Sequence, residues 1–380
     1  ANTASAMQSA ATVGRGTAIL YVSGSRGTTN NFVLDGVDAN NFGSNSFSSV
    51  PVPDPDAIQE FKVSTSLYDA SQGRGSGGEI NVLLRSGTDK YHGGGFEFYR
   101  SNSLNANDFF LNRQNKPRPV LLQNQFGGQV GGPVPKLAHT FWFFAYQATR
   151  QKNGASSLVS GSQPVMPATR DAASLAAAFN VPVQNIDPVA VKWLDQPGPY
   201  GGQLYPSGSC VGVTGTCGVG STGLLAMSLP TIYNEDQESA SVDHDFGQNH
   251  HVAFETFWST SSQLSPTGGG VSLGEGQSTP VDNQHAAFND RYTFTPNLLN
   301  DFRIGFTDIK SSIIPVENIT VGDIGMTKWD AGTWPATPAV SISGLLSWGG
   351  TGVNSATHGG VASITTGDTL SWIHGAHNLR

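Results

Sequence analysis

GRGSGGEINVLLRSGTDKYHGGGFEFYR, Gly73 to Arg100, is the stretch from which the rest of the chain can be read. Gly73, Gly75, Gly77 and Gly78 let the backbone turn where side chains would collide. Ile80 to Leu84 then reads as a short buried strand, bounded by Gly78 before it and Gly87 after it. A second turn, Ser86 to Asp89, leads into the alternating run Gly95-Phe96-Glu97-Phe98-Tyr99-Arg100. One kind of strand ends and another begins, which predicts a domain boundary: residues 1–90 on one side, 91–380 on the other. The glycine run is not a phosphate loop, because it feeds a strand rather than a helix N-terminus.

Upstream, residues 1–18 are rich in Ala, Ser and Thr, and Ala18 to Val22 is a strand candidate. Phe32-Val33-Leu34 is another, followed by a turn at Asp35-Gly36. Pro51, Pro53 and Pro55 enforce an extended crossing. Ala57 to Phe61 reads as a helical turn capped by Asp56, and Phe61 to Ser64 as a strand. The expectation for this part is a small mixed α/β sheet with short helical pieces.

Downstream of Tyr91 the period changes to two. Alternating segments recur at about 93–101, 123–131, 140–150, 236–245, 250–260, 284–294, 300–310 and 363–374. Their lengths, roughly 9–11 residues, suit tilted strands that cross a bilayer. Parity places Phe96/Phe98, Trp142/Phe144/Tyr146, Val252/Phe254/Trp258, Phe302/Ile304/Phe306 and Leu370/Trp372 on an apolar face. Glu97, Gln125/Gln129, Glu255, Asn289/Arg291 and Arg303/Thr307 fall on a wet one. Connections alternate long and short: 102–122 then 132–139, 151–235 then 246–249, 261–283 then 295–299, 311–362 then 375 onward. Outer-membrane barrels have this asymmetry, with the long side outside. A soluble β-sandwich also alternates and mixes its loop lengths, so both architectures stay open at this level.

Composition narrows the classes. Charged residues make up 13% of the 380, and 47 residues are glycine, too apolar for disorder and too glycine-rich for a helical protein. A net charge of -8 argues against nucleic acid as a partner. No apolar run reaches the length of a transmembrane helix, which leaves membrane strands untouched. The opening ANTASAMQSAATVGRG is neither basic nor apolar enough for a signal peptide.

The residues around the glycine run resemble the end of the plug domain in TonB-dependent outer-membrane receptors. There a tyrosine, a Gly-rich turn, a GG-x-IN strand and an R-S-G-T turn precede the first barrel strand. Tyr68, Gly73, Gly77-Gly78, Ile80-Asn81 and Arg85-Ser86-Gly87-Thr88 stand in those places. NNFVLDGVD (Asn30 to Asp38, with Asp35 and Gly36) and DAIQEFKV (Asp56 to Val63) are similar too. FGGQVGGPV (Phe126 to Val134) and TFWFFAYQATR (Thr140 to Arg150) resemble the Oar-like, large-ligand branch. The likeness covers most of residues 20–150 and, weakly, 235–380. It departs before Tyr68, where Ser64-Thr65-Ser66-Leu67 replaces Arg-Gly-Pro, so contacts of that arginine do not carry over.

The resemblance implies the C-terminal part of a plug, then about eight strands of a barrel that has about 22 in this family. It implies a piece of a longer chain that lacks its leader, the TonB-contacting segment and the front of the plug. It implies location in the bacterial outer membrane, a TonB-type energy-coupling protein and an unidentified extracellular ligand as partners, and lipid or lipopolysaccharide around the wall. It implies no cofactor and no catalysis. Plug arginines of the family pair with glutamates of the inner wall, which nominates Arg74 and Arg85 against Glu97 and Glu255. Ordinary surface ion pairing is the alternative.

The long 151–235 connection holds two helix candidates, Arg170 to Phe179 capped by Thr169 and Val189 to Leu194 started by Asp187-Pro188. It is expected to face ligand outside the cell. It also carries the only cysteines, Cys210 and Cys217. They read as a small disulfide worth ~2 kcal/mol, with free thiols or half of a metal site as alternatives. Gly270-Val271-Ser272-Leu273-Gly274 matches G-x-S-x-G, the basis of a rival reading as a secreted all-β hydrolase or binding protein. Asp282 and His285 would be its nearest partners, but flanking glycines leave neither the strand nor the helix that a nucleophile elbow needs. The nine histidines show no ligand spacing, and Asp35, Asp38, Asp54 and Asp56 lack that of a calcium loop, so no metal is expected.

Overall fold

The computed structural model describes residues 22, 26, 29–40, 52–65, 77–107, 109, 112, 118–154, 158–198, 202–211, 213–266, 275–317, 319–327, 340–342, 346–348 and 357–380. The expectations at Ala18 to Tyr21, Tyr68, Gly73, Arg74 and Ser272 lie outside the described residues.

Asp35 and Gly36 both take positive φ, 51° and 77°, and Leu34 pairs with Val37 across them. That is the two-residue hairpin an Asp-Gly pair favours. It joins β1 (Asn31–Leu34) to β2 (Val37–Asp38). With β3 (Ile58–Ser64) and β4 (Glu79–Leu84) they form a sheet in the order β2-β1-β4-β3. β1 and β4 run parallel while the outer pairings are antiparallel, so the expected mixed sheet is present. The helical turn expected at 57–61 is instead a single 3₁₀ turn, Pro55–Ala57, capped by Asp54 and not by Asp56. Pro55 occupies the first helical position, so the cap falls one residue before it. Ile58 already pairs with β4, whose ladder offers its backbone more hydrogen bonds than a second turn would.

The chain continues through β5 (His92–Ser101), β6 (Leu121–Pro133), β7 (Thr140–Asn153), β8 (Leu158–Pro164), helices α1 (Ala172–Phe179) and α2 (Pro188–Leu194), and β9 (Thr222–Ser228). After these come β10 (Thr231–Asp245), β11 (His250–Ser265), β12 (Glu275–Thr295), β13 (Leu298–Glu317), β14 (Val340–Ile342), β15 (Leu346–Trp348), β16 (Thr357–His374) and β17 (His377–Leu379). Nine of them make one antiparallel sheet, β17-β16-β13-β12-β11-β10-β7-β6-β5, open between its first and last members. The eight expected strands are all present, with β17 as the start of a ninth. Short connections (134–139, 246–249, 296–297, 375–376) lie at one end and long ones (102–120, 154–230, 266–274, 318–356) at the other. β12 and β13, at 21 and 20 residues, outrun the expected length. Ser261 to Ser265 pair in register with Val281 to Gln277, so the hairpin takes up much of the 261–283 loop.

The connection after β7 folds into a module of its own. β8 pairs with β9, and Trp193, Leu204, Tyr205 and Leu229 bury one cluster together with Ile319 and Ile324 from beyond β13. α2 begins at Asp187 as expected. α1 is capped by Asp171, whose carboxylate accepts from Ser174 N at 2.8 Å, rather than by Thr169. Cys210 and Cys217 are bonded, so the free-thiol alternative falls.

Candidate functional site

The large sheet has one face that carries the small sheet and one against which no other described element packs. Register fixes which side chains share a face. Gln147, Gln237, Ser259 and Asn283 stand in one cross-strand row toward the small sheet, as do Phe143, Ser241, Glu255 and Ala287 in another. The opposite face shows Phe144, Phe254, Trp258, Phe288, Ile304, Phe306, Leu370 and Trp372, all at least 36% exposed. So many large apolar side chains on one face are costly in water and favourable in hydrocarbon. Near the short-connection end, the rings of His244, Phe246, His250, Tyr292 and Phe294 touch in series, mostly edge to face, with centroids 4.2, 5.0, 5.1 and 4.6 Å apart. Amphipathic rings gather at such a level when a wall passes from hydrocarbon to headgroups.

One strand departs from the expected parity. β5 pairs Phe96 with Gly127 and Phe98 with Gln125, which puts both phenylalanines on the small-sheet face. Glu97, opposite Phe126, lies on the apolar face and therefore makes no contact with the small sheet. β5 carries aromatic residues at both parities, Phe96 and Phe98 at one and Tyr99 at the other, so alternation alone does not orient it. A glycine at 127 decides, because it leaves room for the Phe96 ring.

The seat of the small sheet is built from an apolar centre and a polar margin. Phe32, Leu34, Ile80, Val82 and Leu84 pack with Phe143 and Ala145 of β7 and Phe257 of β11. Around them, Ser241 donates to Arg85 O at 2.9 Å and Ser86 to Asp243 Oδ1 at 3.1 Å. Asn289 donates to Asp35 O at 3.3 Å, Thr307 to Asp38 O at 3.4 Å and Gln237 to Val52 O at 3.3 Å. Two wall contacts need glycine. A Cβ at Gly305 would strike the Val37 side chain, and one at Gly87 would strike the Trp142 backbone.

Arg85 bridges the two sheets, but toward amides. Its Nε donates to Ile58 O at 3.1 Å and Nη1 to Gln129 Oε1 at 3.2 Å. Glu255 accepts from Asn289 Nδ2 at 3.1 Å. The expected Arg85–Glu255 ion pair is thus replaced by two amide contacts on separate strands. Two neutral partners spare the desolvation that a buried ion pair would cost. The remaining residues of the motif are placed by the small sheet itself. Gly77 and Gly78 carry the chain past Asn30, whose Oδ1 accepts from Gly78 N at 2.8 Å, and Asn81 donates to Glu79 at 2.7 Å. Asp35 is 4% exposed, and its Oδ1 accepts from Leu84 N at 2.8 Å. Burial pushes its carboxyl up to about 7, against the pull of that amide and with help from the charge of Asp243.

Phe143, Phe257, Asn289, Ser241, Asp243 and Gly305 belong to the seat and were missed as site residues in the sequence. For Phe143, Phe257, Ser241 and Gly305 the signal was present but weak, apolar or small residues at the wet parity of otherwise polar-in strands, whereas Asn289 and Asp243 look like any other polar residue of that face. For the rival enzyme reading, Asp282 and His285 sit at opposite parity on β12, so they face opposite sides. His285 is fully buried, with Nδ1 on Thr307 Oγ1 at 3.0 Å. Among the described residues no three metal-ligating side chains gather.

A family model described as outer membrane beta barrel domain matches residues 83–380. The TonB-dependent transporter Oar of Myxococcus xanthus is 31% identical over 150 residues, 35% of this chain and 13% of that protein. The outer membrane transporter YddB of Escherichia coli superposes with a TM-score of 0.54 at 11% identity, over 94% of this chain and 39% of that one. The chain spans well under half the length of either relative.

Proposed function

Since the chain belongs to the outer membrane β-barrel domain family and lies in the bacterial outer membrane, we propose that it forms the end of the plug and the first wall strands of an Oar-like TonB-dependent transporter. In this reading residues 1–90 are plug and 91–380 wall. The observation that carries it is a single sheet between two solvents, oily outside, with a small sheet seated on its polar inside. Among the described residues three wall residues join the buried cluster of the small sheet, and the rest of the seat is single close contacts and isolated hydrogen bonds. Each such bond is worth about 0.5–1.5 kcal/mol net, whereas the wall is knitted by continuous ladders. A pull on the plug would therefore unseat it before it unravelled the wall.

The mechanism that follows is binding outside, unseating of the plug by an energised TonB-type protein, and passage of ligand along the wet face. The module of β8, β9, α1 and α2 is the ligand-facing element, on the long-connection side. Lipid and lipopolysaccharide contact the apolar face. The role of Arg74 stays with the resemblance alone. A disulfide between Ser86→Cys and Asp243→Cys, tethering plug to wall, tests the cycle in the full-length protein. Energy-dependent uptake should stop when it forms and return on reduction, with ligand binding retained. Uptake that continues through the tether would overturn the reading.

A further inference from the structure

Three buried acids lie along the contact between the small sheet and the wall. Asp35 comes from the hairpin turn, Asp243 from β10 and Glu255 from β11, and they are 4%, 4% and 9% exposed. Asp35 Oδ1 holds Leu84 N, and two residues on, Ser86 holds Asp243 Oδ1. The Nδ2 of Asn289 donates both to Glu255 Oε2 and to the main-chain oxygen of Asp35, so one amide links the turn to the second wall acid. Among the described residues the buried second oxygens of Asp35 and Asp243 have no hydrogen-bond partner. Burial first, and then the charge of Asp243, raise the Asp35 carboxyl.

The neighbouring charges are occupied elsewhere. Arg85 is spent on Gln129 and Ile58, and Arg303, which lies against Gly36, holds Asp301 at 2.7 Å. Arg291 also turns to Asp301, and His251, on the Asp243 side, holds Asp245 at 2.7 Å. Asp38 takes the Asn40 amides, and His285, beneath Leu34, holds Thr307. Among the described residues no cation bonds any of the three acids. Like charges in a shared buried site cannot all stay ionised, and a carboxyl with an orphaned oxygen is best satisfied as an acid.

We propose that this seat is a proton-binding latch: the small sheet sits with at least one proton held among Asp35, Asp243 and Glu255, and releases it to water on leaving. Asp35 is the member that leaves; the other two stay on the wall. An ionised Asp35 is at ease in water and costly in the seat, so unseating becomes easier as pH rises. The seat gains fully below the ordinary carboxylate range and loses its advantage as pH rises through about 7, where burial places Asp35. The latch makes displacement of the small sheet sensitive to the acidity of the compartment it opens toward.

The test uses the full-length protein in lipid vesicles, with a nitroxide on Val63→Cys at the exposed edge of β3, and follows urea-driven unseating from pH 5 to pH 8. One linked proton raises the unseating constant up to about tenfold per pH unit. A rise of at least about tenfold across the range is expected in the parent protein, and a nearly flat response in Asp35→Asn, whose amide oxygen still accepts from Leu84 N. Should Asp35→Asn fail to seat, Asp243→Asn and Glu255→Gln carry the comparison with the turn intact, each flattening the response. A slope unchanged in these wall variants and in Asp35→Asn, or tighter seating at higher pH, would falsify the latch. The inference rests on the small sheet leaving its seat. A flat response with uptake still blocked by the Ser86–Asp243 tether would remove the latch alone, whereas uptake through the tether would remove the transport cycle.

Discussion

Gly305 and Asp35 show how much of the seat rests on single residues. Gly305→Val would drive a side chain into Val37, an overpacking cost of about 1–3 kcal/mol. Faster hydrogen exchange in β4 is expected, with the β12–β13 and β13–β16 ladders unchanged; protection equal to the parent's would show that the contact does not matter. Asp35→Ala should cost more than Asp35→Asn. Alanine tolerates φ of 51° poorly and strips Leu84 N of its acceptor, about 1–3 kcal/mol together. Equal urea midpoints for the two variants at pH 5 would contradict this. Of these residues, Asp35-Gly36 was legible because an Asp-Gly pair carries its own turn geometry. Gly305 was not, since its meaning lies in a valine that is remote in sequence.

Among the elements, strands were readable where their two faces differ. β13 and β16 put rings at one parity and mostly polar or small residues at the other, and they lie as alternation predicts; β7 and β11 do the same except that Phe141, Phe143 and Phe257 stand at the inner parity. β5 has rings on both faces, and only its ladder with β6 orients it, which is why Glu97 was placed on the wrong side. The α1 cap shows the same limit: Thr169 and Asp171 are both capping residues, and the side chain that reaches Ser174 N decides between them. The disulfide is a local device of the outer module. Cys210→Ser should destabilise that module by ~2 kcal/mol through loop entropy, leaving the nine-stranded sheet intact. Proteolytic nicking confined to the segment between α2 and β9 is the expected readout, and an unchanged digest would argue that the module is held by its Trp193–Tyr205 cluster alone.

For the whole molecule the decisive property is that one sheet faces two solvents. Phe254→Arg, on the apolar face, should cost about 2–4 kcal/mol near the bilayer midplane when folding into vesicles is measured. The same change at Gln125, on the wet face, should cost far less. Similar losses at both positions would contradict a wall between lipid and water. The strands of that wall were legible in the sequence alone, because a period of two, alternating loop lengths and parity-sorted rings are local patterns that any strand must obey once its environment differs on two sides. That they make a membrane wall and not a soluble sandwich was implied by the resemblance. The seat was decided only by the tertiary structure. Which oxygens are buried, that Arg85 meets Gln129 and not a glutamate, and that three acids line one contact depend on strands far apart in the chain. Burial and charge proximity are properties of that assembled contact, and no periodicity encodes them.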